Sequence, residues 1–194
     1  MTQLLETPHS KVVRGRKRAS YDRQQVYQLI DDLKLGHIGF VADNQAFVVP
    51  ITLWRVADHL YFHTMNKGRL AKVLESGQKV CVSFAESSEW VMSKSAYHHS
   101  ANYRSAVLYC QGERVTEPQQ FDDAFKAIID DLEPGRWEHI RAPSLKERKA
   151  TALIRMAIDE GSFKSRTGGP NEEPEDMDLP VWHGLMPTKC PVHK

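Results

Sequence analysis

Short β-rich runs follow one another through turns rather than through long helices, and this feature most narrows what the chain can fold into. His37 to Val41 is a compact apolar run, closed by the turn signal Asp43-Asn44. Ala46 to Val56 is rich in β-branched and aromatic residues but contains Pro50. Proline has no N–H to give to a ladder, so this strand belongs at a sheet edge or a bulge. Ala57-Asp58 makes the next turn and His59 to Thr64 the next strand, so the three runs predict an antiparallel meander. Lys79 to Ala85 alternates, with Val80, Val82 and Phe84 on one face and Lys79, Cys81 and Ser83 on the other. Trp90 to Met92 continues the sheet, Tyr103 to Val115 gives a long strand, and Thr151 to Asp159 the last. Regular helices do not separate the strands, which argues against a parallel α/β fold. No GxGxxG follows a strand, which removes the usual dinucleotide fold. The pattern is mainly β with peripheral helices (α+β), a barrel or sandwich of six or seven strands.

Three helices flank these strands. Asp22 caps the first, which carries Val26, Leu29, Ile30 and Leu33 and is stopped by Gly36. Asn66-Lys67-Gly68 opens the second over Leu70, Val73 and Leu74, and Ser76-Gly77 closes it. The third runs from Glu117-Pro118 through Phe121, Phe125, Ile128, Ile129 and Leu132 to Pro134-Gly135. Residues 1–20 read as a polar arm with the basic run Arg14 to Arg18, residues 21–164 as one barrel domain, and residues 165–194 as a tail. The tail begins Gly/Pro/acid-rich and then turns apolar at Leu179 to Gly184, a composition that returns to pack on the barrel or on a partner subunit.

Composition excludes several classes. Lys and Arg number 26 against 25 Asp and Glu, so no global field draws the protein to nucleic acid or membrane. Arg14 to Arg18 is short and lacks interleaved aromatics, which favours a solvated arm over a nucleic-acid site. The three cysteines, Cys81, Cys110 and Cys190, form no CxxC pair, which argues against a metal site and for a reducing, cytoplasmic compartment. No run is long and apolar enough to span a bilayer, and the first residues lack the apolar stretch of a signal peptide.

Two clusters carry possible chemistry. His63 ends a strand, and Lys67 and Arg69 flank Gly68 where a helix begins, a combination that suits a phosphate. The spacing alone is equally satisfied by two solvated first-turn charges. Just upstream, Pro50-Ile51-Thr52 either leaves backbone groups free to hydrogen-bond a planar heterocycle or is an ordinary edge, and Trp54 is a ring wall or core. The second cluster is His98 to Ser105. Adjacent histidines chelate one metal poorly, and no third ligand stands at the required spacing. Tyr103 and Ser105 share a strand face with Arg104 opposite, which fits a second anion-holding or dimer-facing edge, or a polar loop without a ligand. No GxSxG elbow or paired carboxylates occur, so any reaction falls to a bound cofactor.

In chain order, RGRKRASYD, LGHIGF, VVPITLWRVADHLYFHTMNKGR, HHSANYRSAV and LPVWHG resemble the pyridoxamine 5′-phosphate oxidase-related FMN-binding split-barrel family. The likeness runs from about Arg14 to Pro187 and is nearest to the nitroimidazole-reductase-type branch. It implies a six-stranded antiparallel split β-barrel, paired as a homodimer, with FMN in a cleft between subunits. Pro50, Ile51, Thr52 and Leu53 would then line the isoalloxazine through backbone contacts. His63, Lys67 and Arg69 would hold the ribityl phosphate, Tyr103 and Ser105 would complete the pocket, and Trp182 would cover the flavin or the substrate space.

Two departures stand out. Thr64-Met65-Asn66 replaces a small, glycine-containing turn, and the arginine-bearing strand of true pyridoxamine-phosphate oxidases is missing, so vitamin B6 oxidation is not expected. The implied activity is an FMN-dependent oxidoreductase passing electrons from NAD(P)H to a small acceptor such as a nitro compound; no side chain is an obvious acid or base, and His63 and His98 are the candidates for donating a proton. The rivals are a non-catalytic flavin carrier, or a transcriptional regulator contacting DNA through Arg14 to Arg18. A deazaflavin in place of FMN is a further variant. Haem binding through His98-His99 or Cys190-Pro191-Val192-His193 is the weakest, because so exposed a tail holds an axial ligand poorly.

Overall fold

A computed structural model describes residues 2–188. Among them the chain forms β1 (Ala19–Ser20), α1 (Arg23–Leu33), β2 (Leu35–Ala42), β3 (Gln45–Thr52), β4 (Trp54–Val56), β5 (His59–Met65), α2 (Arg69–Glu75) and β6 (Lys79–Met92). Then come β7 (Ser100–Arg114), α3 (Pro118–Leu132), α4 (Leu145–Ala150), β8 (Thr151–Ala157), β9 (Gly161–Arg166) and β10 (Gly184–Pro187). All strand ladders are antiparallel. The sheet runs β3-β2-β6-β7-β8-β5-β4 and stays open, with β9 on β7 and β1, and β10 on β6. The six longer strands from β3 to β5 are the split barrel that the sequence implies, and the three-residue β4 extends it at one end.

The alternation on β6 holds: Val80, Val82 and Phe84 are buried in a core shared with Leu29 and Ile30 of α1, Ile38, Leu60, Phe62, Leu74 and Ile154. Asp22 caps α1 by accepting from the Gln24 N–H. Asp43 and Asn44 both take positive φ, 50° and 58°, the left-handed pair that a two-residue hairpin requires.

Three expectations are corrected. The first three long strands are not a meander. β3 pairs with β2, the chain then crosses to the far end of the sheet, and β4 pairs with β5. The crossing happens at Leu53, whose side chain is fully buried and whose N–H donates to the Lys34 carbonyl, so Ala46 to Val56 is two strands and not one. Pro50 lies on an edge strand, as its missing donor requires. Gly36 does not stop α1. Lys34 ends it in the left-handed region (φ 52°) with its N–H on the Ile30 carbonyl, and Gly36 lies within β2. A Cβ on Gly36 would stand 2.8 Å from Leu53 Cδ1 and 2.9 Å from Phe84, so this glycine serves close packing.

The N-terminal residues and the tail both touch the barrel. Leu4 is buried in the core, its N–H donates to the Tyr21 carbonyl, and Leu5 bridges to Glu160. β10 lies along Glu89 to Met92 of β6. Cys190 and His193 fall outside the described residues.

Candidate functional site

β3 and the start of α2 frame the first candidate surface. β3 pairs only with β2, so its other edge is open among the described residues. The Leu53 N–H points to Lys34, and ladder groups alternate direction along an antiparallel strand. The C=O of Pro50 and both backbone groups of Thr52 therefore face away from β2. Pro50 and Thr52 are exposed, Ile51 is half-buried and Leu53 is buried. The Arg69 guanidinium lies 4.2 Å from the centroid of the Phe47 ring on β3, which ties the start of α2 to the edge strand. Lys67 and Arg69 are exposed and enter no ion pair with the described residues. α2 is only two turns long and Gly68 offers no side-chain cap, so anion binding here depends on these two cations and not on a helix dipole.

His63 occupies a different setting. Its ring stacks on Trp54 (centroids 6.2 Å, planes 14° apart) and is tilted against Phe125 (5.9 Å). It opens into a cavity of about 410 Å³ walled by Phe121, Phe125, Ile140 and Pro143, with Arg141, Glu147 and Thr151 at its edge. Neither Lys67 nor Arg69 lines this cavity. Trp54 Nε1 is buried without a hydrogen-bond partner among the described residues.

Tyr103 and Ser105 share the half-buried face of β7, opposite the buried Asn102 and Ala106. Ser105 Oγ donates to the Lys164 carbonyl (3.3 Å). Arg104 is spent in ion pairs with Glu86 and Asp32. The predicted second anion site therefore loses its cation. His98 stands 3.5 Å from Glu173, and His99 Nδ1 is 3.0 Å from the Ser95 carbonyl.

The tail is organised by Glu172. Its carboxylate accepts from Ser93 Oγ (2.7 Å) and the Lys94 N–H (3.0 Å) and pairs with His183 Nδ1 (2.9 Å). Burial alone would push this carboxyl up, but the bonds from Ser93, His183 and Lys94 hold it below the usual glutamate range. Trp182 is 60% exposed, and Met177, Leu179, Val181, Leu185, Met186 and Trp90 are also exposed, an apolar surface on and beside the tail.

Residues 22–165 match the family model described as Pyridoxamine 5′-phosphate oxidase. The chain belongs to this family. Among solved structures, this pyridoxamine 5′-phosphate oxidase family member is similar to the flavocytochrome Anf3 from Azotobacter vinelandii. That likeness is 33% identity over 97% of this chain and 87% of the other, with a TM-score of 0.89. It is also similar to the FAD and heme binding protein from Mycobacterium smegmatis, at 29% identity over 88% and 83%, with a TM-score of 0.81. A protein assigned to 5-nitroimidazole antibiotic resistance, from Bacteroides thetaiotaomicron, shares the fold at 16% identity over 88% and 90%, with a TM-score of 0.63. No curated protein is a significant match.

Within this family member, the sequence reading named the β3 edge and the two cations but missed Phe47, Arg141, Glu172 and His183. Phe121 and Phe125 carried a signal, the i, i+4 spacing on α3, which reads equally as core. Arg141, in the loop before α4, carried none. Among the described residues no group of three or more His, Cys, Asp or Glu is placed to hold a metal ion, and no helix is long and apolar enough to cross a membrane.

Proposed function

We propose that this protein is a flavin-dependent oxidoreductase that binds its flavin along the open edge of β3. The observation that carries the reading is the outward-facing backbone of Pro50 and Thr52, beside two cations without ion-pair partners among the described residues, in a chain of this family. A heterocycle edge needs donors and acceptors in one plane, and an unpaired sheet edge supplies them. Lys67 and Arg69 take the ribityl phosphate, and the face of Phe47 packs against the Arg69 guanidinium. FMN and FAD carry the same phosphate next to the ribityl chain, so the same cations serve either. FMN is the flavin implied by the sequence motifs, while the mycobacterial relative is an FAD protein. Bound flavin supplies two-electron and one-electron transfer, coupling a reduced nicotinamide to a small acceptor such as a nitro compound.

Tyr103, Ser105 and Trp182 complete the pocket in a homodimer whose interface includes the exposed apolar tail. The described cysteines, Cys81 and Cys110, are free, which suits the cytosol. A second reading adds haem to the flavin. It is favoured by the flavocytochrome and the FAD and heme binding protein, the two similar structures at 33% and 29% identity.

The test is anaerobic reduction of the flavin-loaded protein by NADH or NADPH, followed by a nitroaromatic acceptor. Bleaching by a nicotinamide and recovery on adding the acceptor is the expected result. No bleaching by either nicotinamide would count against the oxidoreductase.

A further inference from the structure

We infer that the cavity beside His63 is a haem site, separate from the β3 edge, with the His63 imidazole as an axial ligand to the iron. The presence of haem rests on the flavin-and-haem reading above. The location rests on the geometry of this chain.

A haem pocket needs apolar walls for a flat macrocycle, an imidazole with a free nitrogen, and cations near the rim for the propionates. The His63 cavity has the walls and the imidazole, and a cation without an ion pair among the described residues, Lys149, lines the cavity that adjoins it. Phe121 and Phe125, stacked 4.7 Å apart between centroids, form one wall with Ile140 and Pro143. Its volume of about 410 Å³ lies in the range of cofactor pockets, and its open side leaves room for a macrocycle edge in solvent. The contacts of the His63 ring are aromatic, with Trp54 and Phe125, and no described residue hydrogen-bonds its nitrogens. Arg141 stands at the rim, bonded to Glu147. An adjoining cavity of about 340 Å³ shares Phe121 and Thr151 and adds Arg148 and Lys149. Arg148 is paired with Asp122, whereas Lys149 enters no ion pair with the described residues.

Four other described histidines fit less well. The Nδ1 atoms of His183 and His99 are held by Glu172 and Ser95, which leaves each Nε2 free, but neither ring lines the cavity walled by Phe121 and Phe125, and nor does His98, which faces Glu173. His59 borders a cavity of about 380 Å³ with no other aromatic residue in its lining. The sequence-level candidates His98-His99 thus give way to a histidine first read as a phosphate contact.

The experiment titrates the purified, flavin-containing protein with haemin and follows the Soret band. The expected result is saturable binding at one haem per chain, with a sharpened, shifted Soret band. His63→Ala should weaken binding by 10-fold or more, on the order of what even outer-shell changes do to metal sites. His63→Gly should regain the wild-type spectrum on adding free imidazole. His63→Met keeps a ligating sulfur, so it should shift the band without emptying the site. Flavin content should stay at the wild-type level in all three variants.

Four outcomes would overturn the inference. One is absence of saturable haemin binding by a protein that still holds flavin, which leaves the flavin reading intact. Another is a spectrum unchanged by His63→Ala. A third is a spectrum changed by His183→Ala and not by His63→Ala. The last is loss of flavin together with haem in the His63 variants, which would return His63 to the flavin site. Haem bound through His63 in a protein that takes no flavin would uphold this inference and defeat the flavin reading.

Discussion

Arg69 and Lys67 are the residues on which the phosphate assignment turns. Arg69 is held by the face of Phe47, an orientation that a lysine's point charge would not reproduce. Arg69→Ala and Lys67→Ala are each expected to weaken FMN by roughly 1.5–3 kcal/mol, the usual range for a bond to a charged group. Riboflavin, which lacks the phosphate, should lose much less. Fluorescence titration with both ligands checks this, and equal losses would remove the phosphate role. Both cations were legible because they flank a glycine just after a strand. Phe47 was not, since only the fold brings its ring under the Arg69 guanidinium. Glu160 is a second residue that sequence could not flag. It is buried and accepts from Lys79 Nζ (2.6 Å) and Thr7 Oγ1, and these bonds, Lys79 first, hold its carboxyl below the usual range. A depressed folded-state pKa gives stability that is present above the unfolded value, about 4.3, and is lost as pH falls through the folded one. Glu160→Gln should therefore cost about 1–3 kcal/mol at pH 7. The difference from wild type should narrow below about pH 4, which urea unfolding at several pH values would show.

At the scale of elements, the strands were legible where one face meets core and the other meets solvent. β6 shows this best, because Val80, Val82 and Phe84 alternate without interruption. The break between β3 and β4 was hidden, since Ala46 to Val56 is uniformly β-prone and nothing local marks Leu53 as the turning point. It is set by tertiary contacts, the Lys34 carbonyl and the pocket above Gly36. Gly36→Ala would press a methyl against Leu53 and Phe84, and overpacking of this kind costs typically about 1–3 kcal/mol. Leu53 ends the β3 edge, so flavin affinity should fall along with thermal stability. A variant with wild-type melting and flavin affinity would show that Leu53 does not set that edge. β9 and α4 escaped the sequence reading altogether. β9 is a six-residue strand with Gly161 packed against Val107 and Leu108, and α4 is six residues fixed by a Ser144–Glu147 capping box.

For the whole molecule, the ordered strings from Arg14 to Pro187 pointed to the family that the match over residues 22–165 establishes. What they did not separate is the proposed flavin surface from the His63 cavity. In sequence His63, Lys67 and Arg69 form one cluster, while in the fold His63 turns toward α3 and Arg69 toward β3. In the proposed homodimer, the exposed tail is the part of the surface that the second copy covers. Val181→Asp with Leu185→Asp should shift the protein from dimer to monomer by light scattering and lower its flavin content. A dimer unaffected by both charges would place the interface elsewhere.

The most direct measurement is the visible spectrum of the freshly purified protein, with mass identification of any chromophore released by heat. The account predicts the two-banded spectrum of a flavin, with FMN or FAD recovered. A colourless protein that also takes up neither added flavin would contradict it, leaving the barrel without the cofactor on which the proposed function rests.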